Sequence, residues 1–215
     1  VFFSDIVEFT GVCERLEPDV LMKTLGVYLK GMTEAILREG GTVDKFIGDG
    51  VMAFWGAPQP VPDHATRACR AALACQRFIA ERAPAWQGMG IPPFPTRIGL
   101  NTGDVLVGNV GYEERMNYTV MGDPVNVASR LEELNKLYGT RILISETVHA
   151  AAGAAFETRV LDRVVVKGKS RGLVVYELIA EKDGIPPERR GLLRLFDEGV
   201  ERYFARDWAG ALAIF

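Results

Sequence analysis

The chain has 215 residues, 48% of them hydrophobic and 25% charged, with a formal net charge of −3. That length allows one large domain, or one domain with an appendage, and buries a sizeable core without covalent staples. The slight negative balance excludes a broad nucleic-acid-binding face, which needs clustered positive charge.

Cys13, Cys69 and Cys75 form no CxxC pair, so neither a disulfide framework nor a zinc ribbon is expected. His64 and His149 are too few for a His-rich metal centre. Free thiols of this kind suit a reducing cytoplasmic compartment. No apolar run reaches the ~20 residues of a membrane span, and no signal peptide is visible. The chain opens on Val1 inside an apolar run, so it reads as a piece of a longer protein, soluble or membrane-anchored, with regulatory domains outside it.

In chain order, residues 1–7 read as a buried strand. A helix follows from Pro18 to Glu39, with Val20, Leu21, Leu25, Tyr28, Leu29, Met32, Ile36 and Leu37 on one face and Gly40-Gly41 ending it. Thr42 to Trp55 reads as a hairpin turning at Asp49-Gly50. After a proline-rich loop, Asp63 is placed to N-cap a helix from His64 to Arg82. Residues 83–95, rich in proline and glycine, read as a loop. A second hairpin is predicted from Thr96 to Asn101 and from Asp104 to Val110, turning at Thr102-Gly103. Asp123-Pro124 opens a helix that runs to about Leu137, with Gly139 just beyond its end. A strand from Arg141 to Ser145, a short helix from Glu146 and strands near 156–167 and 173–179 complete a domain over residues 1–180.

This order, βαββαβ with additions, predicts an α+β fold: a ferredoxin-like split βαβ core with a mainly antiparallel sheet and helices on one face. Residues 181–187 read as a linker. Residues 188–215 read as a helical tail, either a pair packed on the domain or the start of a tetratricopeptide-like repeat, from the spacing of Gly199, Trp208, Ala211 and Phe215.

Five segments carry the chemistry: Phe3-Ser4-Asp5-Ile6-Val7-Glu8-Phe9-Thr10, Lys45 to Asp49, Tyr118 to Asp123, Val125 to Arg130 and Val166 to Lys169. Asp5 ends a strand and Asp49 tips a hairpin, and split βαβ topology can set both carboxylates on one edge. Two carboxylates that close repel unless cations sit between them, and a pair of divalent ions is the usual device for in-line phosphoryl displacement. Phe9-Thr10-Gly11 can offer backbone N–H groups to phosphate, or can simply anchor the core through Phe9. Asn126 and Arg130, four apart, share one helix face.

Together, in this order, these segments resemble the catalytic domain of class III nucleotidyl cyclases, the adenylyl and guanylyl cyclase family, over about residues 1–180. The resemblance implies that Asp5, Asp49 and the Ile6 carbonyl hold two Mg²⁺ or Mn²⁺ ions. It implies that Lys45 and Thr119 read the purine, that Asn126 orients the ribose, that Arg130 stabilises charge on the α-phosphate, and that Lys167, with Lys169 beside it, reaches the terminal phosphates. Adenine N1 accepts and its N6 amine donates, which suits the Lys45 ammonium and the Thr119 hydroxyl, so ATP is preferred to GTP. Thr119 stands where many adenylyl cyclases carry Asp. This resembles the threonine-variant (class IIIb) bacterial subgroup, some of whose members respond to bicarbonate, and bicarbonate is a possible effector here. The implied activity is conversion of ATP to 3′,5′-cyclic AMP and pyrophosphate in a symmetric homodimer. The alternatives are a guanylyl cyclase, which needs an acceptor where Lys45 stands, and a catalytically silent nucleotide-binding or dimerisation module. A diguanylate cyclase is excluded by the missing GG[DE]EF segment.

Overall fold

The computed structural model describes residues 1–112, 115–165 and 172–215, with the backbone alone for Arg115. Its main sheet has seven strands in the order β2-β3-β1-β4-β7-β9-β8. These are β1 (Phe2–Ile6), β2 (Thr42–Ile47), β3 (Gly50–Phe54), β4 (Thr96–Leu100), β7 (Ile142–Ser145), β8 (Phe156–Val164) and β9 (Leu173–Glu181). The pairings are antiparallel except β4 with β7. With β1 between β3 and β4, the first four strands and the helices α2 (Pro18–Arg38) and α3 (His64–Gly88) make the expected split βαβ core. A short helix α1 (Phe9–Cys13) links β1 to α2.

The sheet is covered on both faces, not one. Phe2, Ile6, Val51, Ala53, Ile98 and Leu100 point into a core shared with Tyr28, Met32 and Ile36 of α2 and Cys69, Ala72 and Ile79 of α3. On the opposite face α4 (Asp123–Tyr138) packs Val127 and Leu131 against Leu143 and Val175. Beside it, Met52 and Phe54 pack with Val120 of a separate hairpin, β5 (Leu106–Tyr112) with β6 (Arg115–Met121). The uninterrupted apolar run Val51-Met52-Ala53-Phe54 is the sequence mark of a strand covered on both sides.

Five further expectations are corrected. The β2–β3 loop is Gly48-Asp49, since Ile47 pairs with Gly50 and Gly48 takes the left-handed conformation (φ 63°). Val20 and Leu37 are exposed and leave the buried face of α2 to Thr24, Tyr28, Met32, Ala35 and Ile36. Asp63 precedes α3 but makes no side-chain cap, its Oδ1 accepting instead from Arg67 Nε at 2.8 Å. Helix α3 runs through Pro84 to Gly88. A proline inside a helix costs about 3 kcal/mol, and the buried, tilted packing of Trp86 against Phe94 (centroids 5.1 Å) opposes it with an apolar gain of similar size. No β4–β5 hairpin forms, because β1 and β7 occupy both edges of β4 and β5 must pair with β6.

Helix α5 (Glu146–Ala152) is capped by Ser145 Oγ, which accepts from the Val148 N–H. The tail forms α6 (Pro187–Phe204) and α7 (Trp208–Ile214). Asp197 Oδ1 on α6 accepts from the Val160 N–H, and the Arg159 guanidinium lies 4.9 Å from the Phe196 ring, tying α6 to β8. All three cysteines are free, and burial pushes the Cys69 and Cys75 thiols up to about 12, out of the reactive range. Among the described residues no helix is long and apolar enough to cross a membrane.

Candidate active site

The residues singled out from the sequence gather into three places. The first is an acidic edge. Asp5 lies in β1, and Asp49 closes the β2–β3 loop beside it, where its Oδ2 accepts from the Ile6 N–H at 2.8 Å. Gly50 makes this approach possible, because a Cβ there would lie 2.5 Å from the Ser4 carbonyl oxygen. Burial pushes the Asp49 carboxyl above the usual carboxylate range. The Ile6 N–H opposes the shift, and the negative charge of Asp5 adds to it.

Arg97 of β4 donates from an Nη to Asp5 Oδ2 at 3.0 Å, and its Nε stands 3.0 Å from Glu132 Oε1. The second contact is an ion pair without an aligned hydrogen bond. Helix α4 is pressed onto β4 at Gly99, where a Cβ would meet the Ala128 carbonyl oxygen at 2.2 Å. Asn135 fixes the seat by donating from Nδ2 to the Ile98 carbonyl at 2.9 Å. This seating brings Glu132 to Arg97. Burial pushes Glu132 up to about 7, against the attraction of Arg97 and with a smaller contribution from Asp5. Neither Arg97 nor Glu132 was picked out by motif. A lone arginine inside the apolar run Ile91–Leu100 was the available signal, since buried arginines are rare unless paired.

The acidic edge suits divalent cations. It holds hard carboxylate oxygens that repel one another, with Arg97 paired to Asp5 and the Ile6 N–H bonded to Asp49. Among the described residues no group of three or more His, Cys, Asp or Glu side chains is arranged to hold a metal ion by itself. Cations held there would therefore complete their shell from backbone carbonyls such as that of Ile6, from water and from substrate phosphates, as Mg²⁺ commonly does.

The second place is a triad on β2 and β6. Lys45 Nζ donates to Thr119 Oγ1 at 3.0 Å across a separation of 74 residues. Thr119 donates to Asp44 Oδ2, and Lys45 Nζ lies 2.9 Å from Asp44 Oδ1. Thr119 is 7% exposed and the Asp44 side chain is wholly buried. Asp44 is a member that motif reading missed.

The third place is the face of α4. Pro124 stands in the first turn, and Asn101 Nδ2 donates to the Pro124 carbonyl at 2.9 Å, anchoring that end. Asn126 is exposed. Arg130, one turn on, lines a groove of about 700 Å³ with Leu134, Leu137, Val164 and Val165. The groove thus reaches the end of β8. Lys167 and Lys169 lie outside the described residues. Among the described residues no hydrogen bond or ion pair joins Asn126 or Arg130 to the acidic edge or to the triad. Phe9 packs edge-on to Phe94 (centroids 6.4 Å) as part of the core, so its side chain is an anchor, whereas Thr10 is exposed at the start of α1.

Residues 1–180 match the family model described as the adenylate and guanylate cyclase catalytic domain. The chain is 41% identical over 177 residues to adenylate cyclase 1 of Rhizobium meliloti (strain 1021), covering 82% of this chain and 27% of the relative. Among solved structures, it resembles the adenylyl cyclase CyaB from P. aeruginosa with a TM-score of 0.79 and 36% identity, covering 86% of this chain and 95% of that one. It also resembles the guanylyl cyclase Cya2, with a TM-score of 0.76 and 34% identity over 85% of this chain and 92% of that one. The chain spans between 10% and 36% of the length of the first curated relatives it matches.

Proposed function

The chain belongs to the adenylate and guanylate cyclase catalytic domain family, and from that premise we propose that it converts ATP to 3′,5′-cyclic AMP and pyrophosphate at sites shared between two copies. The observation that carries the choice of adenine is the meeting of Lys45 and Thr119 at 3.0 Å in a half-buried setting. An ammonium donates to adenine N1 and a hydroxyl oxygen accepts from the N6 amine. Guanine would set its N1–H against the Lys45 donor, leaving a costly unpaired contact. Likeness to cyclases of both base preferences supports the chemistry without choosing the base, so the residues at positions 45 and 119 make that choice. Thr119 supports reading the chain as one of the threonine-variant subgroup.

Asp5 and Asp49, with the Ile6 carbonyl, would hold two divalent cations. Such ions, when bound, acidify the ribose 3′-hydroxyl and neutralise phosphate charge. The protein's own groups do the rest. Lys45 and Thr119 fix the base, and Asn126 orients the ribose so that the 3′-oxygen lines up with the α-phosphorus. The bond from that oxygen to phosphorus forms as the bond to pyrophosphate breaks, and the 3′-hydroxyl proton leaves. Arg130 meets the growing charge on the α-phosphate with a planar, always-charged donor fork, and Lys167 is assigned to the terminal phosphates.

The separation of the three places within one chain supports assembly from two copies, one giving Asp5 and Asp49, the other Lys45, Thr119, Asn126 and Arg130. Exposed apolar groups beside the triad favour the same reading: Phe46 and Ile47 on β2, and Leu106, Tyr112, Met116 and Met121 on the β5–β6 hairpin. A twofold dimer with two equivalent sites is the simplest closed arrangement. The test is cyclic nucleotide production from ATP and from GTP with Mg²⁺ or Mn²⁺ over a range of protein concentrations. ATP-selective activity that rises per protomer with concentration is the expected result. Equal use of GTP, or none of either, would contradict the reading.

A further inference from the structure

Strand β2 is irregular at one position. Val43 pairs with Ala53 and Lys45 with Met52, so Asp44 is an extra residue opposite β3, a β-bulge. In a regular strand the side chains of residues 44 and 45 would point to opposite faces. The bulge turns both toward Thr119, and the buried Asp44 carboxylate touches Lys45 and Thr119 together.

The chemistry of the three groups fixes the direction of every contact. A carboxylate only accepts and an ammonium only donates, so the Thr119 hydroxyl must give its proton to Asp44 and accept from Lys45. One lone pair remains on Thr119 Oγ1, and no proton remains for an incoming base. A free threonine hydroxyl, in contrast, turns to suit either a donor or an acceptor, and alone would distinguish the adenine amine poorly from the guanine carbonyl. We infer that Asp44 is a specificity-determining positioning residue, which takes the Thr119 proton and so commits that hydroxyl to accept from the purine N6 amine. This rests on the nucleotide-cyclising reading above and accounts for how a threonine serves where a permanent acceptor is needed.

The test is Asp44→Asn, in which the amide oxygen can stay on Lys45 while its NH₂ donates to Thr119. That reverses the hydroxyl and frees its proton for a guanine O6. The ratio of kcat/KM for ATP to that for GTP should fall by about tenfold or more, the scale of one mismatched buried hydrogen bond. Asp44→Ala is the second variant. It removes the acceptor without adding a donor and should lower the ratio by a smaller factor. Equilibrium binding of ATP and GTP, read by displacement of a fluorescent purine nucleotide alongside thermal melts, separates the ways of failing. If both folded variants lose ATP and GTP binding by the same factor, Asp44 is only a strut for Lys45 and the inference is overturned. If the unaltered chain binds neither nucleotide, the cyclase reading falls and this inference with it.

Discussion

The acidic edge and the triad grow from the same short segment, residues 44–49, yet they are electrostatic opposites. In the triad one carboxylate, one ammonium and one hydroxyl close a ring of contacts, and each charge has its counter-charge. At the edge the arginine pairs with Asp5, and burial together with the Asp5 charge pushes Asp49 above the ordinary carboxylate range. A ring closed by two hydrogen bonds and the Lys45–Asp44 ion pair, which has no aligned hydrogen bond, can hold its geometry before a ligand arrives, which is the condition for reading a base. An edge short of positive charge invites cations. The contrast assigns recognition to one place and charge-driven chemistry to the other.

The largest expected break in this comparison comes from Asp49→Ala or Asp5→Ala. Either should lower turnover by about a thousandfold, several kcal/mol of transition-state stabilisation, while the melting temperature holds or rises because like charges are no longer held together. Steady-state rates and thermal melts on the same samples check both halves. A variant that loses turnover only through unfolding would remove the edge from the chemistry.

Next is Gly50→Ala, which leaves every charged group in place. The added methyl would sit 2.5 Å from the Ser4 carbonyl oxygen and must push the loop that carries Asp49 away from β1. A loss of about 1–3 kcal/mol of stability is expected, with turnover falling further than the altered melt accounts for. Near-normal turnover would show that the spacing of Asp5 and Asp49 is loose.

How much of this was legible beforehand differs between the two places. Asp5 and Asp49 are legible from a strand end and a hairpin tip, Lys45 and Thr119 only through the resemblance to the cyclase family, and the split βαβ order from hydrophobic period and turn residues. Asp44 was hidden by the rule that side chains alternate along a strand, which sends it away from Lys45. Only the bulge reverses that, and no local residue pattern announces it. Arg97 and Glu132 were hidden because they meet through the seating of α4 at Gly99, a packing event between segments distant in sequence. The predicted β4–β5 hairpin failed for a related reason: turn chemistry says where a chain reverses, whereas free strand edges decide what it pairs with.

On the triad side, Thr119→Val should reduce kcat/KM for ATP by about tenfold with little effect on GTP, since one buried hydrogen bond to the base is lost. Competition assays with both nucleotides would sharpen the contrast with Asp49→Ala, which should affect both purines alike.

The last effect, on stability and not on turnover, concerns Glu132. Its carboxyl sits near 7 in the folded chain against 4.5 as its ordinary value, chiefly through burial. The folded state therefore holds a proton that the unfolded state has released between these values, and stability should fall as pH rises from about 4.5 to about 7. Glu132→Gln should flatten that slope, read as melting temperature against pH in metal-free buffer. An unchanged slope would place the proton elsewhere.

The central claim is that one complete site takes its acidic edge from one copy and its α4 face from another. Mixing Asp49→Ala with Arg130→Ala tests it directly, since each variant alone should be inactive. If sites are shared, heterodimers regain one intact site, and a one-to-one mixture should recover about a quarter of unaltered activity for a freely exchanging twofold dimer. If the mixture stays as inactive as its parts while chromatography shows that the copies exchange, the site lies within a single chain and the account is wrong.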